Sequence, residues 1–451
     1  MSGQEKVSRR RYLKYLVGAA AAAIAIGLGY YYWPKPRVAP KRKSVKLGHS
    51  SAFTGVLATA EAICRMHYDL WTEMVNAEGG LYLKEYDRKL PVSWVFYNDM
   101  GETERYIRNL RRLIEEDKVD AIYGSYGTFQ SFAAYPIVNQ YDVLCVAGNA
   151  TAALIERPEE FVRIYKEKDY YRDEKGRPWY EWSKQIWNET HRYWHIEALV
   201  KVLKQVGVSD VVIWEIGTLY GIESRRHFMH LIKDTGIKVL SHKVYPLGQR
   251  DFTPLISEAK SLNPDAVIQF SYPDDGMAAI SDMIKEDYNP NLYYNALGST
   301  CADAYERFGE NLEGIMYHGW GAFPKGRASK SKWGSGLDIV DKFVERYNAR
   351  PDMVDGACAF MAVQVIGELI ERAGTLDHKA IFEQVLKTKD NPLETIAGPV
   401  YWDRGPWPEY PGTVGQMINI GEVPMGHDSE IVAAAFGDTE GFGLSLSLIH
   451  I

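Results

Sequence analysis

The stretch VSWVFYNDMGETERYIRNLRRLIEEDKVDAIYGS, residues 92–125, sets the fold of this chain. Its apolar run at 92–97 predicts a strand, its helical periodicity predicts a helix over 102–116, and 119–124 predicts a second strand that ends in a polar loop. A strand, a helix and a strand within about 30 residues are typical of two parallel neighbours in a sheet. The predicted class is therefore α/β.

The same alternation extends in both directions from this stretch. Further strands and helices are predicted at 45–48, 58–76, 131–141 and 143–147. After residue 195 the pattern restarts, and it predicts a helix to Val206 followed by strands and helices at 211–214, 221–235, 239–240, 253–261, 266–270 and 276–285. Two α/β units of similar plan in tandem are expected. Ligands in such sheets bind beyond the carboxyl ends of the strands.

Residues 157–194 interrupt this alternation. The segment is dense in charged and aromatic side chains, among them Trp179, Trp182, Trp187 and Trp194. A structural insertion packed on the surface is the favoured interpretation. A lid, or a contact surface for a transporter, is the alternative.

Charge is distributed unevenly along the 451 residues. Residues 1–43 hold ten lysines and arginines against Glu5 alone, a net charge of +9, so the total of −7 leaves −16 on residues 44–451. An acidic body argues against nucleic acid as a partner, because phosphate binding needs a basic surface. The four cysteines lie far apart and form no CxxC motif, so buried free thiols are expected, although an exported location would permit a disulfide.

The basic leader resembles an export signal. Ser8-Arg9-Arg10-Arg11-Tyr12-Leu13-Lys14 follows the twin-arginine pattern with Tyr in place of Phe, and an apolar stretch at 15–33 follows it. This stretch is close to the roughly 20 residues that cross a bilayer as a helix. It carries no clear cleavage site, so residues 1–33 are predicted to be an uncleaved membrane anchor, with a removed signal peptide as the alternative. Residues 34–43 then form an extended linker, and the body lies outside the cytoplasm.

The last six residues, 446–451, read Leu-Ser-Leu-Ile-His-Ile. One frame of a common transposon sequencing adapter encodes the same six residues. We therefore expect 446–451 to be an assembly artefact and exclude them from fold reasoning.

Beyond these patterns, a series of short motifs occurs in a recognisable order. They are Val45-Lys46-Leu47-Gly48, Asn76-Ala77-Glu78-Gly79-Gly80-Leu81, Asn98-Asp99, Tyr123-Gly124-Ser125, Tyr220-Gly221, Arg250-Asp251-Phe252-Thr253-Pro254, Asn263-Pro264-Asp265-Ala266-Val267 and Ala397-Gly398-Pro399-Val400-Tyr401-Trp402-Asp403. Each is weak alone, but their order and spacing over about 44–435 resemble the leucine/isoleucine/valine-binding family of ABC transporter receptors.

The resemblance implies the type I periplasmic binding fold, in which two Rossmann-like lobes are joined by three crossing hinge strands. Lobe 1 would comprise 44–190 and 320–400, and lobe 2 would comprise 191–319 and 401–440. A small-molecule ligand would bind in the cleft between the lobes, and an ABC permease with its ATPase would be the partners. No cofactor and no metal are expected.

Carried over position by position, the resemblance also implies a set of ligand-binding residues. Thr128 would offer a hydroxyl and N–H groups to a ligand carboxylate, and Asn149, Ala150 and Thr151 would lie in the next such loop. The remaining contacts would come from lobe 2, at Tyr220, Tyr272 and Leu297.

Two positions of the chain depart from the pattern of the amino-acid-binding members of the family. Leu297 stands where the family has a carboxylate for the ligand ammonium, and Ala60 replaces an aromatic residue, which would enlarge the pocket. These departures argue against a plain branched-chain amino acid. Asp274, Asp275 or Glu61 could restore an acid, and an amide, a carboxylic acid or a larger amino-acid derivative remains open.

Two other classes of function compete with the receptor interpretation. An enzyme is disfavoured because the chain has no GxSxG, Walker A or HExxH motif, and His227 and His230, three residues apart, are expected to be a surface pair rather than metal ligands. A ligand-sensing ectodomain that feeds a signalling partner remains the alternative. A repressor is disfavoured because an export signal stands where a DNA-binding domain would precede the lobes.

Overall fold

The computed structural model describes residues 42–150, 158–319, 323, 331–410 and 413–434. The described residues from 43 onward form one compact unit. The predicted anchor at 1–33, linker residues 34–41 and the terminal hexapeptide lie outside the described residues. Within the described part of the chain, no helix combines the length and the apolar composition needed to span a membrane.

The first half of the compact unit contains a parallel sheet with helices between its strands. Its elements are β1 (Val45–Ser51), α1 (Ala58–Ala77), β2 (Leu81–Leu83), β3 (Arg88–Leu90), β4 (Val92–Asn98), α2 (Thr103–Glu115), β5 (Ala121–Tyr123), α3 (Thr128–Gln140), β6 (Cys145–Ala147), α4 (Pro158–Glu167), α5 (Trp179–Trp182) and β7 (Gln185–Trp187). The sheet order is β4-β1-β5-β6-β7, and all of its neighbours pair in parallel. Strands β2 and β3 form a separate hairpin.

A second sheet follows with the same order of its first five strands. Its elements are α6 (Arg192–Gln205), β8 (Asp210–Ile216), α7 (Leu219–Ile232), β9 (Lys238–Tyr245), α8 (Thr253–Leu262), β10 (Ala266–Phe270), α9 (Pro273–Lys285), β11 (Tyr293–Asn295), α10 (Ala302–Phe308) and β12 (Met316–Gly319). The parallel part runs β9-β8-β10-β11-β12. Both sheets therefore have the doubly wound order 2-1-3-4-5, which confirms the prediction of two similar α/β units.

The last third of the chain adds elements to both sheets. They are α11 (Gly336–Tyr347), α12 (Asp355–Ala373), α13 (His378–Lys387), β13 (Leu393–Thr395), β14 (Gly398–Val400), β15 (Thr413–Met417) and β16 (Ser429–Ala434). Helix α12 packs on α1 and on β5 and β6 of the first sheet. Strands β15 and β16 extend the second sheet antiparallel, beside β12.

Helix α12 is central, and its residues 356–363 are all apolar, so that every face of its first half is apolar. Fifteen of its 19 residues are buried, which is typical of a helix enclosed by protein on all sides. Two glycines let α1 come close: a Cβ at Gly356 would lie 2.2 Å from the His67 ring, and a Cβ at Gly367 would lie 2.6 Å from Trp71 Cζ2.

The segment at 157–194 corrects the sequence interpretation. Its described part, from residue 158, contains α4 and α5 and ends in β7, which pairs with β6 and completes the first sheet. Trp179, Ile186 and Trp187 are almost fully buried. The segment is thus part of the core and not only a surface insertion. A three-residue strand among aromatic side chains is too short for a periodicity to reveal it.

The chain passes between the two sheets three times. The passages at 188–191 and 401–410 are irregular segments and not the expected strands. Most of the remaining passage, which follows β12, lies outside the described residues. Thr190 Oγ1 donates to the carbonyl oxygens of Pro408 and Tyr410, each at 3.0 Å. The two described passages therefore bind each other directly.

All four cysteines of the chain lie among the described residues. Cys64, Cys145, Cys301 and Cys358 are buried and free, as the sequence predicts.

Candidate functional site

A narrow cavity lies where the carboxyl ends of the two sheets face each other. Its walls come from the segments that follow β5, β6 and β7 of the first sheet and β8, β10 and β11 of the second, together with the start of α12. The lining residues are Tyr126, Thr128, Asn149, Ala150, Glu189, Arg192, Tyr220, Tyr272, Leu297, Asp355 and Cys358. Ligands of doubly wound sheets bind at this edge.

Six of the seven predicted ligand-binding residues meet around this one cavity. The set consists of Thr128, Asn149, Ala150, Tyr220, Tyr272 and Leu297. The seventh, Thr151, lies outside the described residues. The six are brought together from both sheets, and their contact with a ligand stays a prediction.

Asn149 occupies the wall formed by the first sheet. Its Oδ1 accepts a hydrogen bond from Tyr123 Oη at 2.8 Å. Its Nδ2 donates to the backbone oxygen of Asp355 at 2.8 Å and to Asp355 Oδ1 at 3.2 Å. The side chain therefore ties the loop after β6 to the first residue of α12.

Three tyrosine rings form the aromatic wall. Tyr220 and Tyr272, both from the second sheet's side, stack with ring centroids 5.4 Å apart and planes 19° apart. Tyr126, from the first sheet's side, meets Tyr272 edge-on at 5.7 Å. Ring contacts of this kind join the two walls across the cavity.

Sequence reasoning missed two charged residues of the cavity, Glu189 and Arg192. Arg192 Nη2 lies 2.6 Å from Glu189 Oε1, and its guanidinium stacks 4.8 Å from the centroid of the Tyr220 ring. Burial raises the pKa of Glu189 to about 7, and the Arg192 charge opposes that rise. Both residues follow β7 directly, so recognising that strand would have placed them at the binding edge.

Asp355 is a further charged residue of the cavity that sequence reasoning missed. It begins α12, its side chain is 5 % exposed, and its Oδ2 accepts a hydrogen bond from Tyr126 Oη at 3.0 Å. Burial raises the pKa of Asp355 well above its usual value, and the nearby charge of Asp352 raises it further. No local pattern could have assigned it, because its partner Asn149 lies 206 positions earlier in the chain.

The three acids that the sequence offers as alternatives do not line this cavity. Glu61 is buried in the first sheet's core, where its Oε1 lies 3.0 Å from His49 Nε2 and accepts from Tyr68 Oη at 3.0 Å. Asp275 accepts from the Tyr272 backbone N–H in a capping box that begins α9. Asp274 lines an adjoining cavity that also includes Ala60 and Tyr272. The cavity's acids are therefore Glu189 and Asp355.

The histidines also differ from expectation. His230 is partly exposed, but His227 is fully buried, so the two are not a surface pair. His191, Glu223 and His227 each offer one potential metal ligand within 4.8 Å of the others. However, His191 Nδ1 accepts the Tyr193 backbone N–H at 3.2 Å, which leaves the proton of a neutral ring on Nε2, the atom nearest Glu223. That tautomer does not suit metal binding.

A second group, Glu189, His195 and His318, surrounds the Arg192 side chain. His318 Nε2 lies 2.8 Å from Glu189 Oε1, and Arg192 Nη1 lies 3.0 Å from the same ring nitrogen. A guanidinium already supplies the positive charge in this group. The arrangement is thus suited to holding the crossing at 188–191 in place.

Comparison with known proteins decides the family. A family model described as periplasmic binding protein matches residues 44–406. The chain belongs to this family. Its members are solute-binding proteins and not enzymes, and membership implies an extracytoplasmic location.

Relatives of this periplasmic binding protein agree with the family. The Leu/Ile/Val-binding protein homolog 7 of Brucella abortus (strain 2308) is 23 % identical over 368 residues, which cover 78 % of this chain and 83 % of the relative.

Solved structures share the fold. The leucine binding protein LivK of Thermotoga maritima has a TM-score of 0.66 at 19 % identity, covering 86 % of this chain and 98 % of that one. A solute binding protein from R. palustris in complex with benzoate has a TM-score of 0.67 at 17 % identity, with coverages of 89 % and 100 %. LivJ of Streptococcus pneumoniae in complex with isoleucine has a TM-score of 0.67 at 16 % identity, with coverages of 87 % and 100 %.

Proposed function

We propose that this protein is the receptor of an ABC uptake transporter, and that it closes on a small solute between its two lobes. The solute would be an amino acid, an amide or a small carboxylic acid. An ABC permease and its ATPase would take it over from the receptor. The similar solved structures include a leucine binding protein, a complex with isoleucine and a complex with benzoate, and this range supports a class of solutes and not one compound.

The observation that carries the proposal is the composition of the cavity. Thr128, Asn149 and Asp355 come from the first sheet's side, and Tyr220, Tyr272 and Leu297 come from the second. A ligand that touches both walls binds the closed arrangement more tightly than the open one, and it therefore shifts the population toward closure. Opening would separate Tyr126 from Tyr272.

The hinge would lie in the three passages between the sheets, and the lobes would be divided as 44–190 with 320–400 and 191–319 with 401–440. This division agrees with the sheet membership of the described strands. The buried Glu189–Arg192 pair lies at the first passage, where its contact would change as the lobes close.

The basic, apolar leader would hold the receptor at the outer face of the membrane. Residues 15–33 would be the anchor, and 34–43 the spacer that leaves the lobes free to reach a permease. This part of the proposal rests on the sequence pattern alone.

Thermal denaturation with a panel of amino acids, amides and short organic acids tests the receptor function. A bound solute should raise the melting temperature in proportion to the logarithm of its concentration above the dissociation constant. Tyr220→Leu, which removes a ring from the cavity wall, should abolish that rise. Tyr288→Leu should leave it unchanged, because Tyr288 is a partly buried tyrosine between α9 and β11 that does not line the cavity.

If no small molecule stabilises the protein and a protein partner does, the receptor function is wrong. A sensory ectodomain would instead be indicated if a solute binds but the permease does not respond to the loaded protein. Transport assays with the permease and ATPase in vesicles make that distinction.

A further inference from the structure

Asp355 is a buried carboxyl group without a cationic partner. Its two side-chain donors, Tyr126 Oη at 3.0 Å and Asn149 Nδ2 at 3.2 Å, are both neutral. Across the described parts of the chain, no lysine, arginine or histidine forms an ion pair with it. An ionised carboxylate buried in this way is costly unless a positive charge comes close to it.

The charges nearest to Asp355 do not supply that positive charge. Asp352 and Glu189 act on it as further negative groups. Arg192, the guanidinium of the same cavity, is engaged by Glu189 at 2.6 Å. The cavity therefore favours a cation beside Asp355.

The Asn149 side chain has no free donor for a ligand carboxylate. Asn149 Nδ2 donates twice to Asp355, once to its backbone oxygen and once to its side chain. The Gly127 backbone N–H donates to the backbone oxygen of Asn149 at 3.1 Å. The side chain of Asp355 thus takes the Asn149 donor that the family resemblance assigns to the ligand.

The aromatic wall supplies a second kind of attraction for a cation. Tyr126, Tyr220 and Tyr272 line the cavity, and the Arg192 guanidinium already lies against the Tyr220 ring. The faces of such rings attract ammonium groups, and clusters of them are a recurrent means of recognising amines and quaternary ammonium compounds.

We infer that the cavity binds a ligand through a cationic nitrogen, an amine or quaternary ammonium group placed between Asp355 and the tyrosines. The inference rests on the proposed function, because it takes the cavity to be the solute site. Within the proposed class it selects amino-bearing compounds, and it extends the class to amines that lack a carboxyl group.

Isothermal titration with three matched compounds tests this selectivity. The first set shares a branched side chain: L-leucine carries both charges, 3-methylbutylamine carries only the cation, and 4-methylpentanoate carries only the anion. L-Phenylalanine, phenethylamine and 3-phenylpropanoate repeat the comparison with an aromatic skeleton, and choline adds a quaternary ammonium group. The amine of at least one set should bind measurably without a carboxyl group, and both deaminated acids should fail to bind.

Asp355→Asn keeps the size of the side chain and removes its charge, so it should weaken binding of the amine at least tenfold. Asp377→Asn is the matched control, since Asp377 also stands at a helix start but caps exposed α13, away from the cavity. It should bind as the wild type does. Without ligand, Asp355→Asn should melt at or above the wild-type temperature at pH 7, because it removes a carboxyl group whose raised pKa makes the folded state less stable at that pH; this readout separates lost binding from lost folding.

Three results would overturn the inference. They are binding of the deaminated acids, no binding by any amine-bearing compound, and amine binding that Asp355→Asn leaves unchanged. In each case the receptor function survives if an amide or an organic acid of the wider panel still stabilises the protein. If nothing in the wider panel binds, the proposed function falls as well.

Discussion

Two aspartates in this protein each accept the N-cap backbone N–H at the start of a helix. Their surroundings shift their pKa values in opposite directions. Asp275 caps α9 inside the protein, where burial raises its pKa to about 7 and a hydrogen bond from Tyr245 Oη at 2.6 Å opposes the rise. Asp338 caps α11 at the surface, where hydrogen bonds from Ser335 lower its pKa. The same local motif therefore makes opposite contributions to the pH dependence of stability.

Asp275 should make the folded protein less stable as pH rises from about 4 to about 7. A buried acid with a raised pKa binds its proton more tightly in the folded state, so in this window the folded state holds more protons than the unfolded state. The loss is at most about 1.4 kcal/mol per pH unit. Asp275→Asn removes it, so the melting temperature of the variant relative to wild type should rise between pH 4 and pH 7 and then level off.

Asp338→Asn provides the contrasting measurement. Because the folded pKa of Asp338 is lowered, its contribution is present above the unfolded value of about 4 and is lost as pH falls through the folded value. The wild type should therefore be the more stable protein at neutral pH, and the difference should disappear in acid. A difference between wild type and Asp275→Asn that stays constant from pH 4 to pH 8 would contradict the role assigned to Asp275.

At the scale of elements, the contact between α1 and α12 illustrates how packing overrides helix propensity. Alanine is a better helix former than glycine by about 1 kcal/mol, so propensity alone predicts that Gly367→Ala stabilises α12. The new Cβ, however, would lie 2.6 Å from Trp71 Cζ2 and 3.1 Å from Trp71 Cη2. Trp71 is 1 % exposed and has little room to move.

Gly367→Ala should therefore lower the free energy of unfolding by about 1–2 kcal/mol, since overpacking a well-filled core typically costs 1–3 kcal/mol. In a Trp71→Phe background the two obstructing atoms are absent, and the same substitution should be neutral or stabilising. Urea denaturation of the four proteins of this double-mutant cycle measures the difference. An equal loss in both backgrounds would show that the glycine is required for another reason.

The elements between residues 45 and 285 could largely be predicted, because the longer helices and strands there carry their own periodicity, whereas α12 and the other elements after residue 285 were not predicted. Thirteen residues of α2 and twenty of α1 repeat the helical period often enough to be recognised. Strand β7 is three residues long and contains no such repeat. The cavity residues named from the sequence came from the family resemblance. Tyr126, Glu189 and Arg192 were missed, and Asp355 depends on a contact with Asn149.

At the scale of the whole molecule, a buried ion pair connects the layers of the two sheets. Arg350 precedes α12, which covers the first sheet, and Asp428 precedes β16 of the second. Arg350 Nη2 lies 2.8 Å from Asp428 Oδ1, both side chains are 1 % exposed, and Arg350 also donates to the Thr300 backbone oxygen. A pair of this kind fixes geometry more than it adds stability, because desolvation offsets most of its attraction.

Asp428→Ala should lower the free energy of unfolding by about 3–5 kcal/mol, because it leaves the Arg350 guanidinium buried without its counter-charge. The double variant Arg350→Met/Asp428→Leu replaces the pair with apolar side chains of similar volume and should recover most of that loss. Guanidinium chloride denaturation at pH 7 compares the three proteins. If the double variant is no more stable than Asp428→Ala, the pair supplies net stability itself. If it recovers, the pair is retained because it sets how the two layers meet, and small-angle scattering of the double variant should then show a wider spread of interlobe distances.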